Sequence, residues 1–88
     1  MKNADGVDGG SSVQNRKSLA EVVYGTEFQI VQLDGPEQGC YRLLELGFTP
    51  GAEVMVVQAL PFGGPLVVVL RGTRFALRKK EAEWIIVR

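Results

Sequence analysis

Alternating apolar and polar side chains predict a chain built mainly from short strands. The predicted strands are, in order, Glu27–Leu33, Ala52–Leu60, Leu66–Arg71, Arg74–Arg78 and Glu83–Val87. In the second of these, one face is expected to carry Ala52, Val54, Val56 and Leu60. Upstream, Ser18 to Tyr24 fits either a single helical turn or a short edge strand. Lys79 to Ala82 is expected to form one 3₁₀ turn.

One segment has a helical period instead. Between Glu37 and Gly47 the spacing i, i+3, i+4, i+7 predicts an apolar stripe that lies against the sheet, formed by Cys40, Leu43, Leu44 and Gly47. Gly47 is placed to end the helix in the left-handed conformation, with Phe48 as the hydrophobic contact that follows it. Thr49-Pro50-Gly51-Ala52 has the pattern of a type II turn.

The third and fourth strands are joined so closely that the sequence predicts a hairpin register. With Gly72-Thr73 as a two-residue type II′ loop, Leu70 and Val68 face the core together with Phe75 and Leu77. The predicted pairs are Arg71 with Arg74, Val69 with Ala76, Val67 with Arg78, Leu70 with Phe75, and Val68 with Leu77.

Five short strands, tight turns and one short helix between the first two strands predict the fold class. It is mainly β, a small five-stranded SH3-like antiparallel barrel, because closure removes exposed sheet edges. We expect the barrel to occupy residues 18–88. Residues 1–17 are rich in Gly, Ser, Asn and Asp, bury too little apolar surface to order themselves, and are expected to form a disordered tail.

Composition excludes several classes of function. Ten basic and ten acidic residues give zero net charge, which argues against general binding to nucleic acid or to a membrane surface. The chain has no histidine, and its single cysteine, Cys40, is expected to be buried, so we expect no enzyme. No apolar run approaches the ~20 residues that span a bilayer, and we expect a cytoplasmic protein that does not itself span the membrane.

A series of motifs resembles the FeoA family over about residues 18–87. In order, these are Arg42-Leu43, Leu46-Gly47, Pro50-Gly51, Pro61, Gly63-Gly64-Pro65, Gly72, Ala76-Leu77-Arg78, Ala82 and Ile85-Ile86-Val87. The resemblance implies an SH3-like protein of bacterial ferrous iron transport, related to the C-terminal domains of iron-dependent repressors. It also implies a partner, the cytoplasmic part of the membrane permease FeoB, which contains a GTP-binding domain.

Three regions are candidates for contact with a partner. Phe62, between glycines and prolines, either folds back over the barrel or anchors in a partner's pocket. Arg71, Arg74 and Arg78, followed by two lysines, form either a solvated rim or a patch for an acidic partner. Arg42 lies within one turn of Glu45, a surface ion pair of little energy, and its place in the family pattern suggests that it orders the helix against the barrel.

Metal binding and nucleic-acid binding give the alternative functions. Without histidine, a metal would need carboxylates such as Glu37, Glu45, Glu53, Glu81 or Glu83, which suit hard ions better than Fe²⁺ and have no recognisable ligand spacing. We expect no required cofactor, and weak Fe²⁺ binding is implied by the resemblance alone. The alternatives to a permease accessory are a nucleic-acid or ribosome-associated SH3-like module and an Fe²⁺-sensing module.

Overall fold

The strands form one antiparallel sheet in a computed structural model that describes residues 16–88. Its order is β1-β6-β2-β3-β4-β5. The strands are β1 (Lys17–Ser18), β2 (Glu27–Leu33), β3 (Glu53–Ala59), β4 (Leu66–Leu70), β5 (Thr73–Leu77) and β6 (Ile85–Val87). The helices are a 3₁₀ turn (Leu19–Glu21), α1 (Glu37–Leu46) and α2 (Lys79–Glu83). The predicted mainly β, SH3-like fold class is confirmed.

The strand that the sequence did not predict is β1, which pairs Lys17 with Val87 of β6. The 3₁₀ turn that follows it begins at a buried serine, Ser18, whose backbone N–H donates to the Glu21 carboxylate at 3.0 Å. Of the two structures proposed for Ser18 to Tyr24, the helical turn is therefore the one found, and β1 shares only Ser18 with that segment. The tail predicted for residues 1–17 lies, as far as residue 15, outside the described residues.

The core lies between the inward faces of the strands. Its fully buried side chains include Leu19, Ile30, Phe48, Val54, Val56, Val68, Ile85 and Val87. Phe48 meets the half-buried Phe75 edge-on, with ring centroids 5.3 Å apart. The strand faces that alternation assigns to the core are thus largely those that the fold buries.

The end of α1 is built as the sequence predicts. Gly47 has a φ of 108°, a conformation that glycine adopts without strain. Its N–H donates to the Leu44 carbonyl and the N–H of Phe48 donates to the Leu43 carbonyl, both at 3.0 Å. These bonds satisfy two carbonyls that the helix leaves unpaired, and they direct the chain so that Phe48 enters the core.

The face of α1 that meets the barrel differs from the prediction. Leu43 is buried, but Cys40 is only half-buried and Leu44 is 40% exposed. The reason is Trp84, whose ring lies so close to the helix that a Cβ on Gly39 would be 2.4 Å from a ring carbon. The ring therefore turns the Gly39 side of α1 inward, and the prediction that Cys40 is buried was wrong.

A β-bulge changes the pattern of β3. The pairing of β3 with β4 shifts between Val56 and Gln58, so Val57 is an extra residue in the strand. After the bulge it is Ala59 that lies opposite the buried Leu66. Leu60, predicted to share the face of Val54 and Val56, leaves the sheet and is 40% exposed, because one inserted residue exchanges the two faces of a strand.

Candidate partner-binding surface

The loop between β3 and β4 holds an aromatic side chain away from the protein. The loop is closed by two backbone bonds, from Gly64 N–H to the Pro61 carbonyl at 3.1 Å and from Leu60 N–H to the Pro65 carbonyl at 3.0 Å. Phe62 stands between them with a relative exposure of 104%. The sequence left two positions open for Phe62. The side chain is found exposed and not folded back over the barrel.

Two non-glycine residues among residues 16–88 have a positive φ, and both belong to the candidate surface. They are Phe62 (59°) and Arg71 (53°), and each is followed by a glycine with positive φ, Gly63 (72°) or Gly72 (79°). Consecutive left-handed residues define a type I′ turn, which favours Asn or Gly at its first central position. For a bulky side chain this conformation is an outlier, so turn preference does not account for Phe or Arg at these places.

The hairpin of β4 and β5 turns one residue earlier than predicted. Leu70 pairs with Thr73, and Arg71-Gly72 form the two-residue loop. Arg74 therefore lies opposite Val69, and the predicted opposition of Arg71 and Arg74 was wrong. The predicted type II′ loop, Gly72-Thr73, was wrong because it assumed that only the glycine adopts a positive φ.

The error in the turn leaves the faces of the hairpin unchanged. Moving the loop by one residue moves each partner by two positions, and side chains two residues apart lie on the same face. The observed pairs are Leu66–Leu77, Val67–Ala76, Val68–Phe75, Val69–Arg74 and Leu70–Thr73. The predicted pairing of Val67 with Arg78 is thus also wrong, although the predicted inward set is buried or half-buried.

Arg78 and Arg42 are held by one glutamate. Arg78 precedes α2, and its backbone N–H donates to Glu81 Oε1 at 2.9 Å. The other oxygen, Oε2, accepts from Arg42 Nη1 at 3.3 Å. The predicted pairing of Arg42 with Glu45 was therefore wrong, because the fold brings α2 against α1 and offers a carboxylate that is only 15% exposed. This ion pair links α1 to α2.

The candidate residues lie at two ends of β4. Phe62 precedes Leu66, which pairs with Leu77, the neighbour of Arg78. Arg71 lies just beyond the other end of β4, whose five residues span roughly 17 Å, and Arg74 pairs with Val69 near that end. The structure therefore brings Phe62 and Arg78 to the same end of the hairpin and keeps Arg71 apart from them.

The outward face of this ribbon is a feature that the sequence reasoning missed. Met55, Val67 and Val69 lie on it half-buried, and Ala76 is exposed. The available signal was β4 itself, whose sequence LVVVL is apolar on both faces, although residues 16–88 bury only one of them fully. An apolar outer face beside the arginines extends the candidate surface along β4 and β5.

The chain offers few of the side chains that bind transition metals. Between residues 16 and 88, no three His, Cys, Asp or Glu side chains are grouped as metal ligands. Selective binding of a transition metal generally uses imidazole or thiolate donors, and the chain offers one cysteine and no histidine. In the same range no helix is long and apolar enough to cross a membrane.

Comparison with solved structures finds proteins of the same fold. FeoA from Stenotrophomonas maltophilia, an SH3 domain protein solved with zinc, is 36% identical, with a TM-score of 0.72 over 81% of this chain and 88% of that one. The iron uptake regulatory protein FeoA is 32% identical, with a TM-score of 0.74 over 83% and 96% of the two chains.

More distant proteins share the fold alone. A manganese-dependent transcriptional repressor is 17% identical, with a TM-score of 0.76 over 83% of this chain and 36% of that one. A sequence search of curated proteins finds no significant match. The family model described as the FeoA domain matches residues 17–88. Since that range includes nearly every residue of the barrel, the chain belongs to the FeoA family.

Proposed function

We propose that this chain is a non-enzymatic, cytoplasmic accessory protein of ferrous iron uptake that docks on the cytoplasmic part of a FeoB-type permease. Membership of the FeoA family supports the link to iron uptake. The related proteins bear names with the same meaning, an iron uptake regulatory protein and a possible ferrous iron transport activating factor. The iron is the cargo of the permease, and this chain acts on the permease through its surface.

The observation that carries docking is the conformation of the two turns. Phe62 and Arg71 both hold a positive φ, and their side chains are exposed. Strain of this kind, on the order of 1 kcal/mol per residue, persists where a side chain is retained for a purpose other than stability. An exposed phenylalanine on a closed loop is suited to fill an apolar pocket of a partner.

The chemistry of the chain supports an accessory role without catalysis. There is no histidine to act as a general base near neutral pH. Arg71, Arg74 and Arg78 supply positive charge at the surface, which speeds association with an acidic partner and orients it. We assign Phe62 to affinity and these arginines to orientation, and Arg42 to the position of α1.

The test is a titration of the purified chain with the cytoplasmic domain of the FeoB-type permease from the same cell. Phe62→Ala should weaken binding by about 30-fold, as expected for an aromatic anchor that contributes about 2 kcal/mol. Tyr41→Ala is the matched control, since Tyr41 is also an exposed aromatic (65%) but lies on α1. Equal effects of the two substitutions would refute the proposed surface, and absence of binding by the unmodified chain would refute the function.

A further inference from the structure

Strand β5 is an edge of the sheet with open hydrogen-bonding groups. Among the strands of residues 16–88, its only neighbour is β4. Leu70 and Thr73 flank a two-residue turn and so form a hydrogen-bonded pair, and such pairs alternate with non-hydrogen-bonded ones in an antiparallel ladder. The backbone N–H and C=O groups of Arg74 and Ala76 therefore point away from β4.

These groups have no other partner among residues 16–88. Neither Arg74 nor Ala76 takes part in a backbone bond outside the strands, and no side chain bonds to them. Both residues are exposed. The open edge ends at Arg78, whose N–H is bound by Glu81. An added strand would find the N–H and C=O of two alternate residues ready to pair.

The charge along this edge is of one sign. Residues 71–80 contain five cations and no acid: Arg71, Arg74, Arg78, Lys79 and Lys80. Within the described part of the chain, none of the five makes an ion pair within 4.0 Å. The nearest acid in sequence, Glu81, already binds Arg42 and the Arg78 N–H. The edge therefore favours an acidic occupant, and it disfavours a second copy of itself because the arginines would meet.

Side-chain alternation specifies the pattern of that occupant. Arg74, Ala76 and, by alternation, Arg78 lie on the outer side, where Val67 and Val69 are half-buried. On the inner side Phe75 is half-buried and packs against the core. A matching strand has two carboxylates four residues apart, opposite the two arginines, with apolar or small residues between them.

We propose that the β5 edge binds an acidic, extended segment of the partner as an additional antiparallel strand. Such a strand would run from the end near Phe62 to the end near Arg71, and so would join the two parts of the candidate surface. The inference rests on the proposed function only for the identity of the partner. The opposing interpretation is that the arginines merely protect the edge from pairing.

The first experiment uses a short synthetic peptide with two glutamates separated by valine, threonine and valine. Its control is the same peptide N-methylated at the two backbone amides that would face Arg74 and Ala76, which keeps the charge and removes the donors. Strand addition predicts that N-methylation weakens binding about tenfold or more, since two hydrogen bonds are lost. Equal binding of both peptides, or no binding of either, would overturn the proposal.

Hydrogen exchange of the folded chain gives a residue-level readout. With the unmethylated peptide bound, the amides of Arg74 and Ala76 should exchange at least tenfold more slowly. The amides of Phe75 and Leu77 are the internal control, because they belong to hydrogen-bonded pairs with β4 in the unbound chain. Protection spread equally over all four residues, or no change at the first two, would contradict strand addition.

A variant of the chain tests the same edge. Ala76→Pro removes an outward N–H without removing a bond to β4, and proline is accepted at such edge positions. It should weaken peptide binding at least as much as methylating one amide does, about threefold or more. Unchanged affinity in a folded variant would overturn the proposal. If Ala76→Pro does not fold, the methylated peptide still tests the proposal on the unmodified chain.

The permease domain separates this inference from the proposed function. Peptide binding with the alternating protection, but no binding of the permease domain, would leave strand addition standing and refute the function. Binding of the permease domain without protection of the Arg74 and Ala76 amides would refute strand addition and leave the proposed function standing.

Discussion

The two hairpins that share β4 have the same turn geometry and opposite surface chemistry. In each, a non-glycine residue and the following glycine take positive φ angles, Phe62-Gly63 in one and Arg71-Gly72 in the other. One turn thus displays an apolar ring at an exposure of 104%, and the other displays a guanidinium. Since the backbone requirement is the same in both turns, turn conformation does not account for the difference between Phe62 and Arg71.

The hairpins also differ in how the chain continues beyond them. The turn at Arg71-Gly72 is followed directly by the edge strand β5. The turn at Phe62-Gly63 lies between a bulged strand and Pro65, which cannot donate a backbone bond. The Arg71-Gly72 turn therefore determines the register of an open edge, whereas the Phe62-Gly63 turn only holds its side chain outward.

Partner affinity should separate the hairpins most clearly. We expect Phe62→Asn to weaken binding of the permease domain by about 30-fold at both low and high salt, because an apolar anchor is not screened. Arg71→Asn should weaken binding only about three- to tenfold at low salt, with the effect lost at high salt. Titrations at two ionic strengths measure both effects. The same salt dependence for the two variants would contradict the division between anchor and charge.

Folding stability should instead show that the turns are alike. Gly63→Val and Gly72→Val should each lower the free energy of unfolding by about 1–2 kcal/mol, because a β-branched residue is strained at positive φ. A Cβ at either position would have no atom within 4 Å, so the cost is that of the backbone alone. Urea unfolding at equilibrium measures it. A much larger loss for one variant would mean that the turns have different conformations.

Asparagine at the first turn position should stabilise the protein. Phe62→Asn and Arg71→Asn should each raise the free energy of unfolding by about 0.5–1 kcal/mol, because asparagine accepts the left-handed conformation more readily. The same urea experiment detects the gain. Combined with the loss of binding above, it would show that these side chains are kept at the expense of stability. A decrease in stability would argue that each side chain has a structural role.

The smallest effect on stability is expected from the ion pair between Arg42 and Glu81. Arg42→Met keeps the apolar stem of the side chain and removes its ion pair with Glu81, which should cost less than about 1 kcal/mol because Arg42 is 70% exposed. Arg74→Met, at a residue without a partner in the described chain, is the control and should change stability little. Thermal unfolding of both variants provides the comparison. A loss above 2 kcal/mol for Arg42→Met would show that the ion pair holds α1 in place.

Much of the fold was predictable because its signals are local. Gly47 and Phe48 end α1 as their sequence requires, through bonds within one turn of the helix. The faces of β4 and β5 follow from a period of two, which survives the error in the turn. Phe62 was recognisable as a candidate from its neighbours alone, although its exposure was not.

Other features depend on contacts between distant parts of the chain. The inward face of α1 was mispredicted because Trp84, far along the sequence, packs against Gly39. The partner of Arg42 was mispredicted because Glu81 comes close only when α2 meets α1. The position of Leu60 was mispredicted because the bulge at Val57 belongs to the pairing with β4.

The sequence by itself determined which strand faces are buried, where α1 ends and which family the motifs resemble. Each follows from a short-range rule of side-chain alternation, backbone preference or residue spacing. Only the tertiary structure decided the register of β4 and β5, the exposure of Phe62 and the open edge at Arg74 and Ala76. Alternation repeats every two residues, so several registers satisfy it equally well. Pairing between the strands selects one register, and that register decides which backbone N–H and C=O groups stay open for a partner.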